Sequence, residues 1–307
     1  RLMSKLGLHG RSVLPLMTGY ACAIPGIMVT RTIDSWKERL VTILILPLMS
    51  CSARLPVYAL MIGAFIPPVR FFGIVDAQGL TMVVMYFLGT VTALILAVIF
   101  SRWIKVEGKS TFIMEMPPYR VPLMRSIFRQ VYLRVKQFVT DAGKIILVIS
   151  IVLWVLASFP KTDNNQNIKT SYAGKIGKVI EPVIRPLGFD WKIGISLLTS
   201  FAAREVMVST LATIYNVESD DGNIVKLTDA LQQDKNSKTG KPAYTVLTGI
   251  SIMVFFVFAA QCMATFAVVR RETNTWKWPL FMIFYMTGLA YAMSFIVYQG
   301  GLLIGVG

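Results

Sequence analysis

The chain has 307 residues, 55% of them apolar, with a formal net charge of +15. A mean hydropathy of +0.61 excludes an ordinary soluble domain. The basic charge is therefore assigned to loops flanking a membrane rather than to nucleic-acid binding. Three cysteines, each inside an apolar run, exclude a disulfide framework. The chain opens on Arg1 with no signal peptide and reads as part of something longer.

Apolar segments lie at about 12–33, 40–66, 79–104, 139–160, 193–216, 243–269 and 278–304. Several reach the ~20 residues that a spanning helix needs, so the fold class is an all-α polytopic membrane protein in the lipid bilayer. Segment 12–33 carries Pro15, Gly19, Pro25 and Gly26. Segment 40–66 is interrupted by Pro47 and Pro56 and holds Arg54 near its middle. Segment 79–104 is a plain span. Residues 119–138 interleave apolar positions with Arg125, Arg129, Arg134 and Lys136, the pattern of an amphipathic helix lying in the interface. Segment 139–160 is a second plain span. Segment 193–216 holds Arg204 and Glu205 at its centre, and the polar stretch 217–242 is a loop outside the bilayer.

An internal repeat runs through these segments. Leu16 to Ala21 falls on Leu197 to Ala202, and Thr32-Ile33 falls on Thr213-Ile214, at one offset of 181. Cys51 falls on Cys262 at an offset of 211, and the 217–242 loop accounts for most of the difference. Each repeat is a breaker-rich segment, a cysteine-bearing segment and a plain span. We divide the chain into a first gate repeat (1–104), a linking region with the basic amphipathic helix, a spanning helix and a loop (105–174), and a second gate repeat (175–307). The basic stretch 102–138 and Arg270, Arg271 and Lys277 are expected on the cytoplasmic side. That topology makes 12–33 and 193–216 re-entrant from opposite sides, so the repeats are inverted. Inverted repeats with discontinuous helices build a midplane site in many transporters.

The candidate site follows. Cys22, Cys51 and Cys262 all lie in interrupted segments, and a buried thiol beside a freed backbone carbonyl can replace water around a soft or borderline metal ion. A single buried cysteine is ordinarily just a small hydrophobe. Glu205 at membrane depth is costly unless it lines a pathway, and we expect it to face the bundle interior. Arg54 is expected to contact a helix end or a carboxylate. Carbonyls near Pro25, Pro47 and Pro56, and the Gln261 side chain, are expected to supplement the thiols. Gly108-Lys109-Ser110-Thr111 lacks the preceding glycine of a phosphate loop, since position 103 is Trp. No catalytic site is visible.

Several stretches resemble the membrane domain of the FeoB family of prokaryotic ferrous iron transporters. These are Leu16 to Thr32; Arg39 to Tyr58 with its Met49-Ser50-Cys51-Ser52-Ala53-Arg54-Leu55-Pro56 core; Phe112 to Pro122; Ala203-Arg204-Glu205-Val206; Thr210 to Tyr215; and Arg270 to Thr273. The resemblance implies Fe2+ as the transported ion, passing Cys22, Cys51 and Cys262 in two gate repeats in a prokaryotic inner membrane. It further implies a cytoplasmic GTPase domain that binds GTP and is not among these residues, and small Feo accessory proteins as partners. It leaves a homo-oligomer open. The family's gate often has Gly before and Asn after its first cysteine; here Ala21 and Ala23 flank Cys22. Two other readings stand beside it: transport of a nucleoside or another polar solute, and a membrane scaffold or sensor with structural cysteines.

Overall fold

The structure is a computed structural model. It describes residues 8, 10–71, 75–104, 123–129, 131–133, 135–136, 139–140, 143, 147–148, 151, 172–201, 204–215, 224–234, 244–260 and 262–305. The Gly108–Thr111 stretch, the Phe112–Pro122 motif, most of the 217–242 loop, the end of the 139–160 span and Gln261 lie outside the described residues.

The fold is helical, apart from a two-residue antiparallel ladder of β1 (Arg70–Phe71) with β2 (Val75–Asp76). The first half of the chain holds α1 (Val13–Ala21), α2 (Ala23–Val29), α3 (Trp36–Ile45), α4 (Leu55–Phe65) and α5 (Ala77–Trp103). The second holds α6 (Tyr172–Ile184), α7 (Trp191–Ser200), α8 (Val206–Ile214), α9 (Ile224–Gln233), α10 (Val246–Phe258), α11 (Met263–Thr273) and α12 (Lys277–Ile304). Between them, the described residues from 124 to 151 are helical. Leu123, Met124, Phe128 and Tyr132 are exposed, as are the other described residues from 123 to 151.

Among the described residues, four helical stretches are long and apolar enough to cross a membrane: Trp36–Phe65, Ala77–Trp103, Val246–Thr273 and Lys277–Ile304. The first and third are each broken in the middle. Their most apolar windows are 72% and 76% buried inside the protein, against 28% and 22% for the two unbroken helices. The physical reason is the backbone. A helix break frees N–H and C=O groups that hydrocarbon cannot satisfy, so a broken span must be packed inside the bundle. The unbroken α5 and α12 can face lipid.

The two broken spans run antiparallel. Arg39, near the start of the first, donates to Glu272, near the end of the second, at 2.7 Å. At the opposite end, Phe65 closes α4 with its ring edge-on to Tyr244, just before α10, centroids 6.3 Å apart. Equivalent cysteines thus sit on oppositely directed spans, as the inverted repeat requires.

Neither 12–33 nor 193–216 is a straight span. Pro25 lies in the first turn of α2, where its missing N–H costs no hydrogen bond, and Cys22 is extended at φ −156°, ψ 137°. Beyond that corner α2 folds back on α1. A Cβ on Gly26 would stand 3.0 Å from the Pro15 carbonyl and 2.7 Å from Leu46 Cδ2, so the hairpin closes only with glycine there. Arg11 and Asp34 pair at 2.8 Å where its legs are rooted. In the second hairpin, α7 and α8 are joined by the Thr199–Thr210 hydroxyl contact of 2.9 Å, and Lys192 meets Tyr215 OH at 3.3 Å at the roots. The first hairpin is rooted at the Glu272 end, where Arg31 also donates to Glu272. The second is rooted at the Tyr244 end, where Tyr215 OH lies 3.4 Å from Tyr244 OH. The tips meet between them.

Candidate gate at the helix breaks

The breaks of the two spans and the tips of the two hairpins come together, and every candidate cysteine lies at one of them. Pro47 cannot continue the helical ladder, so α3 tightens into a 3-10 turn at Leu46–Leu48 and the chain then runs extended through Met49 (ψ 132°) and Cys51 (ψ 159°). It restarts as helix at Leu55, with Pro56 in the tolerated first turn. In the second span α10 stops at Phe258, Ala259 is extended at ψ 141°, and Cys262 is extended at φ −175°, ψ 99°. Cys22, Cys51 and Cys262 each immediately precede a helical segment: α2, the 3-10 turn Ser52–Arg54 that leads into α4, and α11. Ser52, next to Cys51, reaches the carbonyl of Ala21, next to Cys22, and Arg204 reaches both the Cys51 sulfur and the Ala259 carbonyl at the break that holds Cys262, so the three thiols flank one region. All three are free and partly buried.

A hydrogen bond ties each hairpin tip to the break of its own repeat's span. Ser52, following Cys51, donates from Oγ to the Ala21 carbonyl at 2.9 Å. Met263, following Cys262, donates its N–H to the Phe201 carbonyl at 3.2 Å. The break carbonyls are equivalent too, because Leu48 falls on Ala259 at the 211-residue offset. Each accepts from an arginine. Fully buried Arg54 donates to Leu48 O and Ser50 Oγ at 3.2 Å and to Pro47 O at 3.0 Å. This is the helix-end contact expected of Arg54, and it satisfies carbonyls orphaned where α3 ends. Gly89 of α5 makes room: a Cβ there would stand 3.0 Å from Ser50 Oγ and 3.1 Å from Leu48 O.

Arg204 serves the other carbonyl, but from the second hairpin. Its Nη2 donates to Ala259 O at 3.3 Å, and its Nη1 lies 3.9 Å from Cys51 Sγ in the opposite repeat. The sequence alone pointed to Arg204 only as the neighbour of Glu205. Its contacts come from two other elements, which chain order does not reveal.

Among the described residues, no three His, Cys, Asp or Glu side chains stand close enough to hold a metal ion. A dication about 4 Å from the Arg204 guanidinium would be repelled by roughly 8 kcal/mol at an effective dielectric of about 20. Two expectations are corrected by this geometry. The carbonyls of Pro47, Leu48 and Ala259 are taken by arginines rather than open to an ion. Glu205 is exposed rather than interior. Arg204 and Glu205 are successive residues at a hairpin tip, so they point to opposite sides. The Glu205 side chain makes no cap on α8.

At the Tyr244 end, Lys192 Nζ and Tyr215 OH each reach Asp234 Oδ2 at 2.5 Å. Asp190 caps α7 by accepting from the Ile193 N–H at 3.0 Å. Burial pushes the Asp190 carboxyl up, and burial together with Asp234 pushes the Tyr215 phenol well up.

A family model described as Gate, nucleoside recognition, matches residues 1–65 and 139–276. A second, described as ferrous iron transport protein B C terminus, matches residues 82–134. The chain is 48% identical over 310 residues to a protein of Leptospira biflexa named Fe(2+) transporter FeoB, covering 99% of this chain and 45% of that protein. It is 37% identical over 339 residues to a Porphyromonas gingivalis protein named Fe(2+) transport protein A/Fe(2+) transporter FeoB fusion protein, covering 99% and 39%. It is 36% identical over 302 residues to the Fe(2+) transporter FeoB of Staphylococcus aureus strain COL, covering 98% and 42%. The chain thus spans less than half the length of these curated relatives. No solved structure matches it.

Proposed function

We propose, from the premise that this chain belongs to the FeoB family and forms its gate-bearing membrane portion, that it moves Fe2+ across a prokaryotic inner membrane as a multi-pass gate domain. The observation that carries this reading is the placement of three thiols, one at each of three half-helix starts, where antiparallel broken spans meet two hairpin tips. A permeating ion needs donors that replace its water yet let it leave. Partly buried thiols meet that need better than a closed cage, which would trap the ion. Cys22, Cys51 and Cys262 are the groups that would meet Fe2+, with Glu205 as the nearby carboxylate.

GTP would act on a cytoplasmic domain outside this chain, and the first gate repeat, the linking region and the second gate repeat would move relative to one another as it turns over. The fusion partner named in the Porphyromonas gingivalis relative supports a small iron transport protein A as an accessory. The description of the Gate model as nucleoside recognition supports a polar-solute reading instead. The described residues at the breaks offer thiols and a guanidinium rather than converging amides, which favours the metal.

The test is anaerobic Fe2+ uptake into proteoliposomes holding the full-length protein, with nucleosides as competitors. Single Cys→Ser changes at positions 22, 51 and 262 should weaken Fe2+ uptake unequally, because serine keeps a hard donor and loses the soft one. Uptake indifferent to all three changes, or blocked by a nucleoside, would remove the iron reading.

A further inference from the structure

Each break exposes an equivalent carbonyl, Leu48 in one repeat and Ala259 in the other, and each is covered by an arginine. The two arginines are not equivalent. Arg54 belongs to the span it serves, is fully buried, and spreads its guanidinium over two carbonyls and a hydroxyl of that same break. Arg204 comes from a hairpin tip, between the end of α7 at Ser200 and the start of α8 at Val206. It reaches one carbonyl of the second repeat and the Cys51 sulfur of the first. Among the described residues it thereby ties the two repeats together at the level of the thiols.

We propose that Arg204 is the resident cation of the path: its guanidinium holds the Cys51 sulfur and the Ala259 carbonyl when no ion is there, and the transported dication and Arg204 take turns at that place. This rests on the transport reading above. A soft sulfur and a backbone carbonyl are the donor types a partly dehydrated ferrous ion requires, and the guanidinium now faces both. Like charges cannot share the place, and arginine does not deprotonate in proteins, so the guanidinium leaves only by moving. A turn residue between two short helices can move with the hairpin tip, whereas Arg54 is locked into its own break. The arrangement makes ion binding and gate opening one event, since an ion that wins the donors releases the tie between the repeats.

The experiment is anaerobic Fe2+ uptake by the full-length protein in proteoliposomes, with and without GTP, comparing wild type, Arg204→Gln and Arg204→Lys. Glutamine can still donate to the Ala259 carbonyl but brings no charge. Arg204→Gln should lower the KM for Fe2+ by roughly tenfold and allow leak without GTP, because the competing charge is gone. Arg204→Lys keeps the charge on a single amine that cannot span both acceptors as a fork does, so its KM should fall by only about threefold, with little leak. If Arg204→Gln fails to fold, the lysine variant carries the test through its KM. A folded variant with unchanged KM and no leak overturns the proposal, as does loss of kcat at constant KM, which marks a purely structural arginine. Absence of metal-dependent uptake by the wild-type protein would instead overturn the transport reading on which the proposal stands.

Discussion

Thr199 and Thr210 are eleven residues apart in the chain, yet their hydroxyl oxygens lie 2.9 Å from one another. In one continuous helix eleven residues would separate them by about 16 Å along the axis. The contact therefore fixes α7 and α8 as the two legs of a hairpin. Replacing both threonines with cysteine in the full-length protein should give a cross-link that forms on mild oxidation, read as a gel shift after proteolysis between the two positions. A pair that never cross-links would remove the hairpin.

Glu272 has a side chain only 2% exposed and is approached by Arg31, Arg39 and Arg271. Glu272→Gln leaves these guanidinium groups with a weaker acceptor. Arg31 is more than half exposed, so water recovers part of the loss. The net cost should be about 2 kcal/mol, seen as a lower thermal midpoint in detergent. A double-mutant cycle with Arg39→Gln should return a coupling of about 1 kcal/mol or more, and additive effects would show that the pair is idle.

Arg54→Met keeps the length and apolar stem of the side chain but withdraws donors from the Pro47 and Leu48 carbonyls and from Ser50. Each buried acceptor left unmet costs on the order of 1–3 kcal/mol. Destabilisation of roughly 3 kcal/mol or more is expected, with Arg54→Lys recovering only part because one amine cannot cover the same acceptors. Denaturation midpoints in detergent decide this, and a methionine variant as stable as wild type would show that the break needs no cap.

Tyr215 ionises near 10 in an unfolded chain, and burial with its bond to Asp234 pushes it well higher in the fold. The native state therefore holds its proton where the unfolded state has lost it. The stability it contributes is complete below pH 10 and declines as pH rises above that value toward the raised folded value. Stability measured from pH 8 upward should begin to fall near pH 10, and Tyr215→Phe should flatten that decline. An identical alkaline profile in the phenylalanine variant would place the effect elsewhere.

Much of the first repeat was legible from proline. Pro47, Pro56 and the Pro25-Gly26 pair mark the break of one span and the corner of one hairpin, because proline removes a donor and glycine admits close backbone contact. The second repeat carries no such punctuation at its span break. Ala259 and Ala260 are good helix formers, yet Ala259 is extended. Tertiary bonds favour the break there: the Phe201 carbonyl takes the Met263 N–H, and Arg204 takes the Ala259 carbonyl. Only the repeat itself, by pairing Cys262 with Cys51, pointed to that place. Depth in the chain was likewise a poor guide to facing. Glu205 and Arg204 share the same depth, and one turns outward while the other turns in.

The antiparallel spans also make the two mouths of the gate chemically unlike. At one, Glu272 gathers Arg31, Arg39 and Arg271; at the other, a Lys192–Asp234 pair stands beside the Phe65 and Tyr244 rings. Salt screens the more than half-exposed Arg31 at the first end more than the Lys192–Asp234 pair, whose side chains are each 18% exposed, and it leaves the ring packing intact. Backbone symmetry is thus paired with unlike ends, so raising salt would act more strongly on one mouth than on the other.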